Sequence, residues 1–368
     1  MSDSRKQEIG SRLIKWFQNE ARDLPWRMTD DPYKIWVSEI MLQQTRVGTV
    51  LDYYDSFLEQ FPAVYELANA DRDDVLKQWE GLGYYNRARW MHDAAQQIIN
   101  EYDGEMPVDH EERLKLSGIG EYTSAAIGAF AFGQSKPVVD GNVKRVISRL
   151  FGIDNPVDRT DTERRIAHVL EEMLEGVDSP GTLSEAIMEL GALVCKPGTP
   201  NCERCVVSDN CKAFKDNLQE MLPVTGDSVE KTHHEIAVGV LVKGEHVLIA
   251  RRPEDRMLGG LWEFPGGKLE GDETEVEALQ RELNQEFGIE AHVGPKLDTI
   301  EHTYSHMTIN LHVYVCTHGG SELERKKDEP WEWAQPENLG EYAFPGSNQS
   351  IVSTIQENGV EELFQHAT

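Results

Sequence analysis

The stretch LSGIGEYTSAAIGAF, residues 116–130, places two glycines close together immediately before an apolar, helix-forming run. Because they lack side chains, Gly118 and Gly120 let backbone N–H groups approach a ligand closely, and the N-terminus of the following helix favours negative charge there. A phosphate bound in this way carries no sequence information, so the turn suits an enzyme that surveys DNA. A plain connection between two helices explains these letters equally well.

Helical periodicity extends far to both sides of this turn. Between residue 5 and about residue 222, apolar residues recur at intervals of three and four, which predicts amphipathic helices. The pattern is clearest in residues 11–20, 37–45, 75–83, 88–102, 123–133 and 162–174. We therefore predict an all-α region over residues 1–225.

The pattern changes after a polar, aperiodic stretch at residues 226–234, which we interpret as a linker. Residues 235–252 alternate as two strands around Lys243-Gly244-Glu245, a pattern typical of a hairpin. A helix that ends at Gly288 and a further strand over residues 308–318 follow. The predicted fold class is thus multidomain, with an all-α region followed by an α+β domain over residues 235–368.

The chain is strongly acidic, with a formal net charge of -29 over 368 residues. Taken alone, this charge argues against a nucleic-acid partner, because phosphate binding needs positive surface. An acidic surface also keeps the proteins of salt-adapted organisms soluble, so local basic residues must decide. Basic residues occur in two informative motifs, GLGYYNRAR at residues 81–89 and VVDGNVKRVISRL at residues 138–150.

Hydropathy predicts the location of the protein. No stretch approaches the roughly 18 to 20 apolar residues of a membrane span. The first residues contain no apolar signal region. We expect a cytoplasmic, nucleoid-associated monomer without membrane attachment.

Four of the five cysteines, Cys195, Cys202, Cys205 and Cys211, have the spacing C-x6-C-x2-C-x5-C. A secreted disulfide framework is not expected without a signal peptide. Four thiolates within so short a segment can close around one soft metal centre, and the spacing leaves both zinc and an iron–sulfur cluster open. The fifth, Cys316, lies in an apolar strand-like run and is predicted to be ordinary core.

Two carboxylates are candidates for catalysis. Asp140 precedes a predicted helix, where an aspartate commonly serves as N-cap. Glu39 lies in an otherwise apolar helical run, DPYKIWVSEIMLQQT at residues 31–45. If Glu39 faces water it has no special role, whereas in a closed pocket burial would raise its pKa and hold it protonated, as a general acid requires.

In their order along the chain, the glycine turn, the Gly-Asn-Val-Lys-Arg helix start and the cysteine loop resemble the endonuclease III, or helix-hairpin-helix, superfamily of DNA glycosylases. The resemblance implies that the cysteines hold a [4Fe–4S] cluster. The motifs LPWR at 24–27, VSEIMLQQT at 37–45, GLGYYNRAR and SEAIMELGALVC at 184–195 are similar to one branch in particular, the MutY-type adenine glycosylases. That branch acts on adenine mispaired with 8-oxoguanine in duplex DNA.

The resemblance implies a role for individual residues. Glu39 would protonate the adenine ring, and Asp140 would stabilise the cationic sugar, the two-carboxylate logic of glycoside cleavage. Tyr122 stands where bifunctional relatives carry a Schiff-base lysine, so no cleavage of the DNA backbone is expected. The predicted contacts to the flipped adenine, the gap left in the stack and the DNA backbone are Trp26, Arg27, Gln43, Tyr84, Arg87, Gly118, Gly120, Asn142, Lys144 and Glu185. Tyr85 is the less favoured alternative to Tyr84.

The second domain contains FPGGKLEGDETEVEALQRELNQEFGI, residues 264–289, which resembles the Nudix box of nucleoside-diphosphate hydrolases except that Gln285 replaces a glutamate. In the MutY-type branch such a domain reads 8-oxoguanine instead of cleaving pyrophosphate. The segment HTYSH at 302–306 resembles the family's recognition turn, which assigns that contact to Tyr304, Ser305 and His306. Glu282 and Glu286, four residues apart, would still lie on one helix face and could hold one hard cation.

Two alternative functions stay open at the level of sequence. One is a bifunctional glycosylase/lyase of the endonuclease III type, which Tyr122 disfavours because it lacks an amine. The other is a Nudix pyrophosphohydrolase with a helical appendage, which Gln285 disfavours because a neutral amide replaces a charged metal ligand.

Overall fold

The computed structural model describes residues 3–226, 231–304, 307–318, 323 and 329–363, and these fall into two compact units. The first unit comprises residues 1–69 and 90–228, and the second comprises residues 70–89 and 229–368. Within the described ranges, no helix is both long and apolar enough to cross a membrane.

The helices of the N-terminal region follow one another with short connections. They are α1 (Asp3–Glu20), α2 (Pro32–Met41), α3 (Val47–Gln60), α4 (Val64–Asn69), α5 (Arg72–Gln78), α6 (Asn86–Glu101), α7 (His110–Arg113), α8 (Glu121–Ala131), α9 (Gly141–Phe151), α10 (Thr160–Leu174), α11 (Pro180–Leu193) and α12 (Lys212–Lys215).

The C-terminal region consists of a mixed sheet and two helices. In chain order the elements are β1 (Thr232–Lys243), β2 (His246–Arg251), β3 (Trp262–Glu263), β4 (Gly266–Lys268), α13 (Glu275–Phe287), β5 (Ala291–Thr303), β6 (Met307–His318), β7 (Trp331–Ala334) and α14 (Gln349–Leu363).

One hydrophobic core of the first unit lies between α1, α9, α10 and α11, whose apolar faces pack together. Helix α9 has well-defined ends: the Asp140 side chain accepts a hydrogen bond from the Val143 N–H, and Gly152 closes the helix in the left-handed conformation, with φ +66°. The short helix α7 and helix α8 flank the glycine turn and form the predicted helical hairpin. Helix α8 also packs against α2, which brings the turn close to the helix that carries Glu39.

In the second unit, the main path of the sheet has the order β3-β2-β1-β6-β5, with β4 added to β1 and β7 to β2. Strands β1 and β6 are parallel and the other pairs antiparallel. Side chains alternate along β1: Ala237 and Leu241 belong to the core under α13, and Val238 and Val240 to the core under α14. The sheet is therefore covered on both faces.

The predicted fold class is confirmed: an all-α region that contains a helical hairpin precedes an α+β domain with a mixed sheet. The hairpin between β1 and β2, the strand β6 and the end of α13 at Gly288 also agree with the sequence pattern. Cys316 is fully buried beneath α13, as predicted for core.

Two segments differ from the sequence pattern. Helix α5 ends at Gln78, short of the helix predicted over residues 75–83, because Gly81 and Gly83 take positive φ angles and turn the chain. Strand β1 begins at Thr232, inside the predicted linker, because its parallel pairing with β6 extends to Met307. The first difference follows from glycines that are visible in the sequence, whereas the second depends on the path of β6.

Candidate active site

Glu39 is the buried carboxylate of helix α2, with 6% of its surface exposed. Its Oε2 accepts a hydrogen bond of 2.9 Å from the Tyr122 hydroxyl. Burial raises the pKa of Glu39 to about 7, and the nearby carboxylates of Asp140 and Glu185 add to the rise, while Tyr122 and Arg27 oppose it. A carboxyl with this pKa is partly protonated at neutral pH and can act as a general acid.

Asp140 is held in place from two directions as the N-cap of α9. Its Oδ1 accepts from the Val143 N–H at 2.7 Å, and its Oδ2 accepts from Asn142 Nδ2 at 2.8 Å. Arg145 in turn donates to Asn142 Oδ1 at 2.7 Å and to the Cys195 carbonyl at 2.7 Å. The carboxylate is therefore oriented both by the helix and by a chain of polar contacts that reaches the cysteine loop.

A cavity of about 1090 Å³ joins the two carboxylates. Most of the predicted catalytic and substrate-binding residues of the first unit line it, namely Trp26, Arg27, Glu39, Gln43, Gly118, Gly120, Tyr122, Asp140, Asn142 and Glu185. These residues come from five separate parts of the chain. The cavity therefore assembles, in one place, the acid, the second carboxylate and an aromatic residue.

One end of the cavity contains an arginine–glutamate network. Arg27 Nε lies 3.2 Å from Glu185 Oε1, and burial raises the pKa of Glu185 despite this arginine. The Arg27 guanidinium also contacts Glu189 Oε2 at 3.0 Å, and Arg22 donates to both oxygens of the same carboxylate at 2.8 and 2.7 Å. The network fixes Arg27 beside the pocket.

Glu189 and Arg22 are absent from the sequence-based set of site residues. Although burial acts in the opposite direction, hydrogen bonds from Arg22 and Arg27 lower the pKa of Glu189 to about 2. Its spacing of four from Glu185 puts both on one face of α11, a signal that the sequence does contain. Arg22, by contrast, joins the site only through the packing of α1 against α11.

The two glycines of the turn have different surroundings: Gly118 has a positive φ and close neighbours, and Gly120 faces empty space. Gly118 has φ +70°, and a side chain there would approach Trp90 Cβ to 2.6 Å, so only glycine fits. Gly120 is the N-cap of α8, and an added Cβ would meet nothing within 4 Å. The space in front of Gly120 leaves the helix N-terminus accessible to an anion.

Two of the predicted basic contacts are engaged within the protein. Lys144 Nζ pairs with Glu163 at 2.8 Å. Arg87 is buried, and it donates to the carbonyls of Leu82 and Gly83 at 3.1 and 3.0 Å. Burial lowers the pKa of Arg87 to about 10. In this structure Arg87 therefore stabilises the turn around residue 83.

Tyr84 and Tyr85 have opposite environments. Tyr84 is 41% exposed and has φ +48°, an uncommon conformation for a residue with a side chain. Tyr85 is 3% exposed, and its hydroxyl donates to the Phe344 carbonyl at 3.1 Å. Only Tyr84 has an accessible ring, in keeping with the preference for Tyr84 over Tyr85.

The four cysteines lie at one edge of the core of the first unit, each partly buried. Burial raises the pKa values of Cys202, Cys205 and Cys211, that of Cys205 to about 12, and the neighbouring thiols contribute to each rise. Arg149 donates to Cys195 Sγ at 3.3 Å. Within the described part of the chain, no three His, Cys, Asp or Glu side chains are arranged to hold a single metal ion.

The Nudix-like helix α13 begins with a capping box formed by Thr274 and Glu277. Arg281 binds Glu273 at 2.7 and 3.0 Å and Glu282 at 2.7 Å, which neutralises two of the acidic residues of the box. Glu286 is buried, and Gln285 is exposed beside another, separate cavity. In this arrangement two carboxylates of the box, those of Glu273 and Glu282, share an internal cation.

Of the predicted 8-oxoguanine contacts, the structure describes Tyr304, which directly follows β5. The Tyr304 N–H donates to the Met307 carbonyl at 2.7 Å, and its hydroxyl donates to Ser347 Oγ at 3.3 Å. The Tyr304 ring meets the His302 ring edge-on, with 4.6 Å between centroids. Ser305 and His306 fall outside the residues that the structure describes.

Two family models match the chain. Residues 37–172 match the HhH-GPD superfamily of base excision DNA repair proteins, and residues 237–354 match the NUDIX domain. Among solved structures, a thermostable thymine-DNA glycosylase superposes with a TM-score of 0.53 at 30% identity, covering 58% of this chain and 98% of that one.

Curated relatives extend across both units. The human adenine DNA glycosylase is 32% identical over 358 residues, covering 82% of this chain and 65% of the relative. The mouse adenine DNA glycosylase is also 32% identical, covering 83% of this chain and 69% of the relative. The chain thus spans about two thirds of the length of these relatives. Identity at this level, over both matched domains, shows that the chain belongs to the adenine DNA glycosylase family.

Proposed function

We propose that the chain hydrolyses the N-glycosidic bond of adenine mispaired with 8-oxoguanine, or with guanine, in duplex DNA. The observation that carries this proposal is the pair of carboxylates in one cavity: Glu39, buried and with a pKa of about 7, and Asp140, fixed as a helix cap. Family membership identifies adenine as the nucleobase that is released. The cavity contains the acid and the carboxylate anion that cleavage of a glycosidic bond needs.

The two carboxylates divide the reaction between them. Glu39 gives its proton to a ring nitrogen of adenine, and the electron pair of the breaking C–N bond stays with the base, which leaves neutral. Asp140 stabilises the positive charge that develops on the sugar. Water then adds to the sugar carbon, and the proton that it releases restores the acid form of Glu39. The product is an abasic site with an intact backbone.

The remaining cavity residues position the flipped adenine. Trp26 offers an aromatic surface against the base, and it is itself fixed by an edge-on contact with Tyr54 at 5.3 Å. Glu185 accepts a hydrogen bond from the exocyclic amine. Arg27 holds Glu185 in place and is itself bound by Glu189. Base flipping removes adenine from the stack, and Gln43 and Tyr84 fill the gap.

Tyr122 favours this proposal over the bifunctional alternative. Its hydroxyl donates to Glu39, and burial raises its pKa well above the usual value, so it stays protonated. A phenol cannot form the imine that β-elimination requires. Tyr122 therefore orients the acid and leaves the DNA backbone uncut.

We further propose that Cys195, Cys202, Cys205 and Cys211 hold a [4Fe–4S] cluster. In such a cluster iron and sulfide lie between the thiolates, so the thiolates lie farther apart than the four around one zinc ion. The four thiols are near enough to raise one another's pKa, so together they can supply the thiolates that such a cluster needs. The cluster would stabilise the loop between α11 and α12.

The purified protein is expected to contain about four iron atoms per chain and little zinc, with broad absorption in the violet. Replacing Cys202 by Ser should lower the iron content and the yield of soluble protein, because one ligand organises the whole loop. Elemental analysis of anaerobically prepared protein checks this. Cys316→Ser is the matched control, since that thiol lies in the other unit. One zinc ion per chain without iron would exclude the cluster.

For the second unit we propose that the turn at residues 304–306 reads 8-oxoguanine on the strand opposite adenine. Ser305→Ala and His306→Ala should each lower the preference for 8-oxoguanine·A over G·A duplexes by on the order of 1–3 kcal/mol, because each removes a base contact. Single-turnover excision from the two duplexes measures the preference. His246→Ala serves as control, because His246 is the first residue of β2 and pairs with Lys243, at the end of β1 far from Met307. An unchanged preference in both turn variants would refute this role.

A further inference from the structure

Buried side chains hold the turn that carries Tyr84 in one conformation. Trp79, which is fully buried, donates its indole N–H to the Gly83 carbonyl at 3.1 Å, and the buried Arg87 donates to the same carbonyl at 3.0 Å. The Arg87 guanidinium also lies over the Tyr84 ring, 5.4 Å from its centroid. The left-handed conformation is unfavourable for a residue with a side chain, so the surrounding contacts must hold Tyr84 in it.

This turn is hydrogen-bonded to a segment of the Nudix-like domain that lies more than 250 residues away in sequence. The Tyr85 hydroxyl accepts from the Gly81 N–H at 3.2 Å and donates to the Phe344 carbonyl at 3.1 Å. Glu80 Oε1 accepts from the Phe344 N–H at 2.8 Å. Both main-chain polar groups of Phe344, which is completely buried, are therefore bound by the turn.

A third contact completes the attachment. Lys77 Nζ donates to the Tyr342 carbonyl at 3.0 Å and to Glu80 Oε2 at 2.5 Å. Glu80 thus uses one oxygen for the main chain of Phe344 and the other for Lys77. Substitution at Glu80 breaks both sets of bonds at once.

The same distal segment also touches the turn between β5 and β6. Ser347, three residues beyond Phe344 and 4% exposed, accepts the hydrogen bond from the Tyr304 hydroxyl at 3.3 Å. Phe344 stacks on Phe264 with 5.4 Å between centroids, and Tyr304 packs against the same apolar core. Residues 342–347, which we name the bridging segment, therefore contact the Tyr84 turn on one side and the Tyr304 turn on the other.

We propose that the bridging segment couples the reading of 8-oxoguanine to the displacement of adenine, with Tyr85 and Glu80 as positioning residues that determine specificity. The inference rests on the proposed function, in which Tyr84 enters the stack and the Tyr304 turn contacts the lesion. Because both turns belong to one compact unit, binding of the lesion at one turn sets the position of the other. A duplex with guanine opposite adenine makes fewer contacts at the Tyr304 turn, so its adenine is displaced with less help from the coupling.

The test uses the full-length protein with Tyr85→Phe, which keeps the ring and removes the hydroxyl that donates to the Phe344 carbonyl, and Glu80→Met, which keeps a side chain of similar length and removes both carboxylate oxygens. Single-turnover excision of adenine and fluorescence of 2-aminopurine placed at the adenine position are measured for 8-oxoguanine·A and G·A duplexes. We expect excision and base displacement on 8-oxoguanine·A to fall about tenfold, while both change less than about twofold on G·A. Duplex Kd should stay within about twofold.

Tyr65→Phe is the matched control, because it removes an exposed tyrosine hydroxyl that also donates to a backbone carbonyl, that of Asp103. Equal slowing on both duplexes would overturn the coupling, since it would indicate a general structural effect. Unchanged excision in both variants would overturn it as well. If the unmodified protein released no adenine from either duplex, the proposed function itself would fail, which distinguishes the two outcomes.

Discussion

Replacing Glu39 by Gln is expected to slow adenine release at least a hundredfold, an effect of about the size that general acid catalysis contributes. The amide keeps the size of the side chain and can still accept the hydrogen bond from Tyr122, but it has no proton to give to the base. Binding of the duplex should be nearly unchanged, because Glu39 is buried and contributes little to the DNA-facing surface. Single-turnover excision and duplex Kd, measured side by side, check both statements.

The pH profile gives a second readout of the same assignment. Since burial raises the pKa of Glu39 to about 7, the protonated, active form predominates below that pH, and the excision rate should decline as pH rises through about 7. Between the ordinary carboxyl pKa of 4.5 and 7, the folded state binds this proton more tightly than the unfolded state. The free energy of unfolding therefore falls as pH rises from 4.5 to about 7. In Glu39→Gln this part of the pH dependence should disappear. Activity near that of the unmodified protein in Glu39→Gln would show that another group is the acid.

Asp140→Asn is expected to reduce excision by a similar factor, at least about a hundredfold, for a different reason. The substitution removes the negative charge that stabilises the cationic sugar. Asparagine caps helices as well as aspartate does, so the bond from the Val143 N–H can persist. The change therefore separates the two roles of Asp140 that the sequence left open.

Thermal unfolding measured together with excision checks this separation. The melting temperature of Asp140→Asn should change little, while activity is lost. Asp109→Asn is a suitable control, because Asp109 caps α7 in the same way and lies outside the cavity. A large loss of stability with proportionate loss of activity would mean that Asp140 acts as a structural cap alone.

The sequence allows prediction of features that depend on neighbouring residues. The cap at Asp140, the capping box of α13 and the end of that helix at Gly288 each need only residues within one helical turn. The pocket residues Trp26, Arg27 and Glu185 are recognisable because motifs carry them, and the structure places them in one cavity.

Burial and the division into units could not be predicted from the sequence pattern. Arg87 has the sequence environment of a phosphate-binding residue, but the conformation of the turn after α5 places its guanidinium over the Trp79 ring, where it is buried. Residues 70–89 precede the linker by more than a hundred positions and still belong to the second compact unit. Burial also decides whether Glu39 can serve as the proposed acid: the same glutamate on a helix facing water would have an ordinary pKa.

The central claim is that this chain releases adenine by hydrolysis and leaves the DNA backbone intact. The most direct measurement incubates the protein with a duplex carrying adenine opposite 8-oxoguanine, and quantifies free adenine and strand breaks with and without hot alkali. We predict one free adenine for each abasic site, with strand breaks that appear only after alkali, because Tyr122 has no amine with which to form an imine. Strand cleavage without alkali, or the absence of free adenine, would contradict the account.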